Sequence, residues 1–295
     1  MVRGLYIGAS GMQAQEHRLN VVANNLANVD LTGYKRDISV MKSFPELLIQ
    51  RSHDNGVFTM PIGSFDTSPI VGRLGTGVEY NETFTAFEQG SLKQTDNAFD
   101  LALGNSDDTL ARGFFVIETP YGERYTRNGS FVLGKEGYLE TKEGYRVLGD
   151  NGPIQVKLHN FSVDSEGVIL HNAAINNDPR VLTSPRENEW NDTQVVDRLR
   201  IVHFYDTMDK PAERFLSKVG NSMWSATSLS GEPISLEVDN KRPQVMQGFL
   251  ETSSVNAVQE MVTMIAVNRA YEACQKAVQS HDQAIEQVLN KVLRG

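Results

Sequence analysis

Six histidines, one cysteine, an SxxK pattern and a glycine-rich stretch are the features of this 295-residue chain that invite a chemical reading. His17, His53, His159, His171, His203 and His281 are scattered, with no HExxH run or paired spacing on which zinc could sit. Cys274 stands alone, so neither a thiolate cluster nor an intrachain disulfide is available. Ser39 and Lys42 match SxxK, in which a lysine activates a serine, but two fixed positions in four recur by chance in most proteins. Gly72, Gly75 and Gly77 lack the spacing of a phosphate-binding loop and a following Lys-Ser/Thr. Asp150 in DNGP and Asp164 in DSEG lack the calcium loop and its terminal Glu, and both read as β-turns. Nothing here points to catalysis, a metal or a cofactor. The chain reads as a non-enzyme; a hydrolase built on Ser39 or a carboxylate finds no support in the spacing.

Composition narrows the partners. The hydrophobic fraction is 40% and the charged fraction 22%, values of a folded chain rather than a disordered one. A net charge of −9 argues against nucleic acid, which demands a basic surface. Gln13, Gln15, Glu16, His17 and Arg18 interrupt the N-terminal apolar residues, so no cleavable signal is expected. No apolar run approaches the ~20 residues of a membrane helix.

The two ends carry helical periodicity. Leu5, Met12, Leu19 and Leu26 are spaced by seven, with Val22 and Val29 three residues after the last two. This helix is expected to end near Asn28 to Gly33, where turn formers and a glycine stand. Near the C-terminus Met264, Tyr271, Val278, Ile285 and Val292 repeat by seven, and Val267, Cys274, His281 and Val288 follow three after the first four. A second row is small: Ala266, Ala270, Ala273, Ala277, Ser280 and Ala284. The spacing predicts a helix from Val255 to Val292, capped by Thr252, Ser253 or Ser254. More than one apolar face leaves two arrangements open: an intramolecular antiparallel coiled coil, or packing against neighbouring copies. Cys274 reads as a small packing residue in this seam. Tyr34, Lys35 and Arg36 read either as a contact to a neighbouring subunit or as a solvated helix end.

Between the helices the pattern becomes β-type. Gly122, Gly129, Gly137, Gly144 and Gly152 recur every seven or eight residues between aromatic and β-branched runs, as in an antiparallel meander. Asn128-Gly129 and Asn151-Gly152 are read as type I′ turns. Further strands are expected around Val163 to Leu170 and Leu199 to Tyr205. Residues 51–80 read as an extended connector or loose hairpin, and roughly 172–194 as a surface loop. The fold class is α+β, with long terminal helices around a central, mainly antiparallel β domain.

Three segments carry a family resemblance. GLYIGASGMQAQEHRLNVVANNLANVDLTGYKRD resembles the N-terminal signature of the flagellar rod and hook family, including Ala23 to Val29 and Gly33, Tyr34 and Lys35. QGFLETSSVNAVQEMVTMIAVNRAYEACQKAVQSHDQ is similar to its C-terminal signature, through Gly248, Leu250, Glu251, Ser254, Val255, Asn256, Met261, Met264, Ile265, Arg269, Ala270, Tyr271 and Lys276. GFFVIETPYGERYTRNGSF resembles the shared β domain. The stretches at Gly144 to Ile154 and Ser253 to Met261 lean towards the proximal-rod (FlgF-like) type, ahead of the distal-rod (FlgG-like) type.

The resemblance implies a structural subunit of the basal-body rod, exported without a cleaved signal by the flagellar type III apparatus into a rod crossing the periplasm. Its partners would be copies of itself and other rod and hook axial proteins, with no nucleic acid and no small-molecule substrate. The terminal helices, residues 1–36 and 252–295, would form the tube layer, 37–80 the connector and 81–251 the outer β domain. The expected assembly interface is Leu5, Met12, Leu19, Val22, Leu26, Met264, Val267, Tyr271, Val278, Ile285 and Val288. The competing reading is a secreted β-domain binding module whose ends form a private coiled coil.

Overall fold

The computed structural model describes residues 2–50, 57–60, 63–66, 70–104, 112–157, 160–172, 193–205, 212–220, 222–235 and 242–294. They form two compact units. One comprises Met1–Asn24, Ile38–Thr83 and Val258–Gly295; the other comprises Asn25–Asp37 and Phe84–Ala257. The loop expected at 172–194 lies almost wholly outside the described residues.

The second unit is built on the strand Phe114–Thr119. It pairs antiparallel with Gly122–Thr126 on one side, and with Arg146–Gly149 and Ile201–His203 on the other. Alternate residues of a strand face opposite ways. Phe115 and Ile117 therefore enter one apolar cluster with Phe131, Leu139, Val147, Ile154 and Ile201. Phe114 and Val116 enter a second, with Phe87, Tyr125, Val202, Phe204 and Trp224. A run of four apolar residues thus reads as a strand covered on both faces. Each such side chain contributes roughly 1.5–3 kcal/mol on burial. The expected strands near 163–170 appear as Ser162–Val163 and Val168–Asn172, joined by the Asp164 turn, and Ile201–His203 is also a strand.

The expected type I′ turns are corrected. Gly129 has no positive φ, and the strands flanking Asn128-Gly129 do not pair with each other. Gly129 is there for space: the Leu101 carbonyl lies where a Cβ would stand. In the second case the register opposes Gly149 to Gly152, so Asp150 and Asn151 form the loop and Gly152 follows it at φ +128°.

The chain ends of this unit are held by two short antiparallel pairs. Val245–Gln247 pairs with Leu101–Leu103, and Phe249–Glu251 pairs with Leu92–Gln94.

The first unit holds all but the inner ends of two helices, α1 (Val2–Ala27) and α2 (Ala257–Arg294). α1 ends as expected, in turns leading to Gly33. α2 opens two residues later than expected, after Asn256, itself a preferred N-cap type. The residues expected as caps act elsewhere: Ser253 Oγ accepts from the Val255 N–H (3.2 Å), and Ser254 Oγ from the Arg36 N–H (3.0 Å). Within 37–80 lie two hairpins, Leu47–Gln50 with Ile70–Leu74 and Val57–Met60 with Gly63–Asp66.

Candidate functional site

The helix pair of the first unit is set by glycines. A Cβ on Gly8 would come within 2.5 Å of Val278 Cγ2, and one on Gly11 within 3.0 Å of Cys274 Sγ; one on Gly4 would strike the His281 ring. As α1 positions rise from 4 to 11, α2 positions fall from 281 to 274, so the helices run antiparallel. Glycine at i, i+4 and i+7 of α1 gives one smooth face, which lets α2 approach closely. The sequence reading passed over this row because it sought small residues on the C-terminal helix and only bulky ones on the N-terminal helix.

The expected interface residues divide into three groups. Val22 and Val267 are buried. Leu5, Met12, Leu19, Leu26, Met264, Val278 and Ile285 are partly buried, along with Cys274 and His281 of the same seam. Tyr271 and Val288 are exposed. The seam ends after Ile285 for a geometric reason. α2 has 38 residues and spans ~57 Å, whereas α1 has 26 and spans ~39 Å. Gly4, near the start of α1, already faces His281, so Val288, Leu289 and Val292 extend past it and are exposed. Earlier in α2, Val258, Met261, Val262 and Ile265 are exposed as well. Of the small row, Ala266, Ala273, Ala277 and Ser280 are exposed, and Ala270 and Ala284 partly buried.

The second unit contains a buried charge cluster that the sequence reading did not foresee. Lys35 Nζ meets Glu251 Oε1 at 2.5 Å and the Glu88 carbonyl at 2.7 Å. Glu251 Oε1 also accepts from the Gly90 N–H (2.9 Å), while Arg127 Nη1 stands 3.5 Å from Glu251 Oε2. All three side chains are buried, and the Arg127 guanidinium lies over the Phe114 ring. Burial pushes the Lys35 ammonium down to about 8, against the pull of Glu251 and with a push from Arg127. Burial also lowers Arg127 and raises the Glu213 carboxyl, whose Oε1 accepts from the Arg112 N–H at 2.6 Å.

Backbone contacts close the same region. The Gly33 N–H donates to the Glu251 carbonyl (2.8 Å) and the Ser254 N–H to the Tyr34 carbonyl (3.0 Å). Lys218 bridges to Asp37 at 2.9 Å and sits over the Tyr34 ring. The expectation of Tyr34 and Lys35 as a subunit contact or solvated helix end is therefore corrected: both are buried against the chain's own β unit. No local pattern announces this, because the anion that compensates Lys35 lies 216 residues away. Ser39 and Lys42 stand on the strand Arg36–Ser43, Ser39 partly buried mid-strand and Lys42 at its exposed end, paired to Glu79 at 2.9 Å. Among the described residues no group of three or more His, Cys, Asp or Glu could hold a metal; His53 and His159 lie outside them.

Comparison with known proteins adds an independent line. Three family models match: "Flagella basal body rod protein" at residues 5–35, "Flagellar hook protein FlgE/F/G D1 domain" at 111–171, and "Flagellar basal body rod FlgEFG protein C-terminal" at 246–291. The chain is 30% identical over 291 residues to the flagellar basal-body rod protein FlgG of Buchnera aphidicola subsp. Schizaphis graminum, covering 98% of this chain and 99% of that one. It is 31% identical to FlgG of Borreliella burgdorferi, covering 96% of each. FlgF of Caulobacter vibrioides is 28% identical over 94% of this chain and 92% of its own length.

Proposed function

The chain belongs to the flagellar basal-body rod protein family and is a structural subunit of that rod, and from this premise we propose that its terminal helices join it to its axial neighbours. Those neighbours are copies of itself and other rod and hook proteins, reached after export by the flagellar type III apparatus into a rod that crosses the periplasm. Segments 1–36 and 252–295 form the tube layer, 37–80 the connector, and 81–251 a β domain outside it. Of the expected interface, Tyr271 and Val288 are exposed and available to a neighbour, while Leu5, Met12, Leu19, Val22, Leu26, Met264, Val267, Val278 and Ile285 belong to the helix layer that carries it. The role is mechanical, without catalysis or a cofactor.

One observation carries this reading. After pairing with α1, α2 still exposes Val258 at 71%, Val262 at 56%, Ile265 at 54%, Leu289 at 59% and Val292 at 75%. A private two-helix coiled coil has no use for this outer set. Covering each residue contributes roughly 1.5–3 kcal/mol, offset by the entropy of ordering.

The test is Val262→Asp combined with Ile265→Asp. Both side chains are exposed, so the free protein should keep its far-ultraviolet circular dichroism. In cells where the variant replaces the native copy, purified hook-basal bodies should lack this chain. Incorporation at the native level would sink the proposal and favour the binding-module reading.

A further inference from the structure

Two buried cations share one carboxylate where both ends of the chain reach the β unit. Lys35 arrives with the N-terminal segment Asn25–Asp37, and Glu251 with the last strand before α2. Arg127 belongs to the β unit itself. Without Glu251, seating Lys35 would place an ammonium in a dry site beside a buried guanidinium, leaving it the Glu88 carbonyl as acceptor. Breaking one member out of a buried ion cluster is strongly unfavourable, because the remaining charge is uncompensated. The other acid near Arg127, Glu213, is held by the Arg112 N–H.

We propose that Glu251 is a latch: the N-terminal segment 25–37 docks on the β unit only once the C-terminal strand Phe249–Glu251 is in place. The root of α1 is then fixed only in a chain whose residue 251 has arrived. A subunit delivered in part leaves Lys35 unseated and Tyr34 undocked. The latch works within one chain, so it stands or falls independently of the assembly surface on α2.

Hydrogen exchange on the full-length free protein tests this with three variants. The reporting amides are Gly33 and Arg36, which donate to the Glu251 carbonyl and Ser254 Oγ. Glu251→Gln should raise their exchange by at least about tenfold while the amides of Phe114–Thr119 stay protected. Lys35→Met alone should leave them protected, because Arg127 then has Glu251 to itself. Adding Lys35→Met to Glu251→Gln should restore protection to within about threefold of the native chain, because only one buried cation then remains and Arg127 keeps the nearby charge of Glu213. Should Glu251→Gln fail to fold, recovery of folding on adding Lys35→Met makes the same case. Two results overturn the latch: retained protection in Glu251→Gln, or a loss that Lys35→Met does not repair. The second would reduce Glu251 to a packing residue of its own strand.

Discussion

The strand Phe114–Thr119 and the helix α2 are both apolar by design, yet the chain finishes only one of them. Phe114 and Phe115 lie on opposite faces of one strand, and each is fully covered by residues of the same unit. α2 has one face seated on the glycines of α1 and leaves Val258, Val262, Ile265, Leu289 and Val292 to water. An apolar repeat therefore encodes that a surface is to be covered, and says nothing of which chain covers it. The answer comes from counting available partners. A strand in a twisted sheet collects neighbours on two edges and two faces, whereas a 38-residue helix beside a 26-residue one cannot. With α2 as the proposed assembly face, folding and assembly have separate seats in this molecule, and substitutions should separate them.

The largest effect is expected where the chain closes on itself. Phe114→Ala removes a ring packed edge-on to Phe87, Trp224 and Phe204 and leaves a cavity beneath Arg127. The loss should be about 3–5 kcal/mol in chemical denaturation. A loss below about 1 kcal/mol would mean that the two-faced core is not what holds the unit. Next comes the helix contact. Gly8→Val places branched carbons where Val278 stands, an overpacking that costs about 1–3 kcal/mol. Its signature is local: amides of α1 should exchange faster while those of Phe114–Thr119 do not. Equal loosening of both units would erase the distinction between them.

Much of this division was legible in the sequence, to the extent that it depends on local pattern. Of the α2 heptad, Met264, Val278 and Ile285 fall at partly buried positions and Tyr271 at an exposed one, while the run from Phe114 to Ile117 marked the central strand. What failed was set by residues far away. Gly129 looked like the second half of an Asn-Gly turn, but the space it leaves is for the Leu101 backbone. Lys35 follows a helix and looked exposed or intermolecular, because Glu251 is distant in sequence. The glycines at 4, 8 and 11 were legible in principle. Their spacing is helical, and a search for absent side chains would have found the contact that a search for bulky ones passed over. The overhang of α2 also follows from the two helix lengths, once their antiparallel register is known.

The pH-dependent effect concerns Lys35, where a closed unit holds a charge that water would keep at lower cost. Burial brings its ammonium down to about 8 from 10.5. Below the lower value the folded and unfolded chains both carry the proton, and the folded chain bears the full penalty of a buried charge. Between the two values the unfolded chain binds the proton and the folded chain does not, so this residue's contribution to stability rises with pH. Above the upper value both forms are neutral and the penalty is gone. Other groups also titrate in this range, so the informative quantity is the difference between the native chain and Lys35→Met. The native chain should gain on the variant across the window from about pH 8 to 10.5, and the difference should be flat at pH 6–7. Urea denaturation at half-unit steps of pH measures it. A difference that stays level throughout would mean that Lys35 is hydrated in the folded chain, and the β unit would then be less closed around Lys35 than at Phe114.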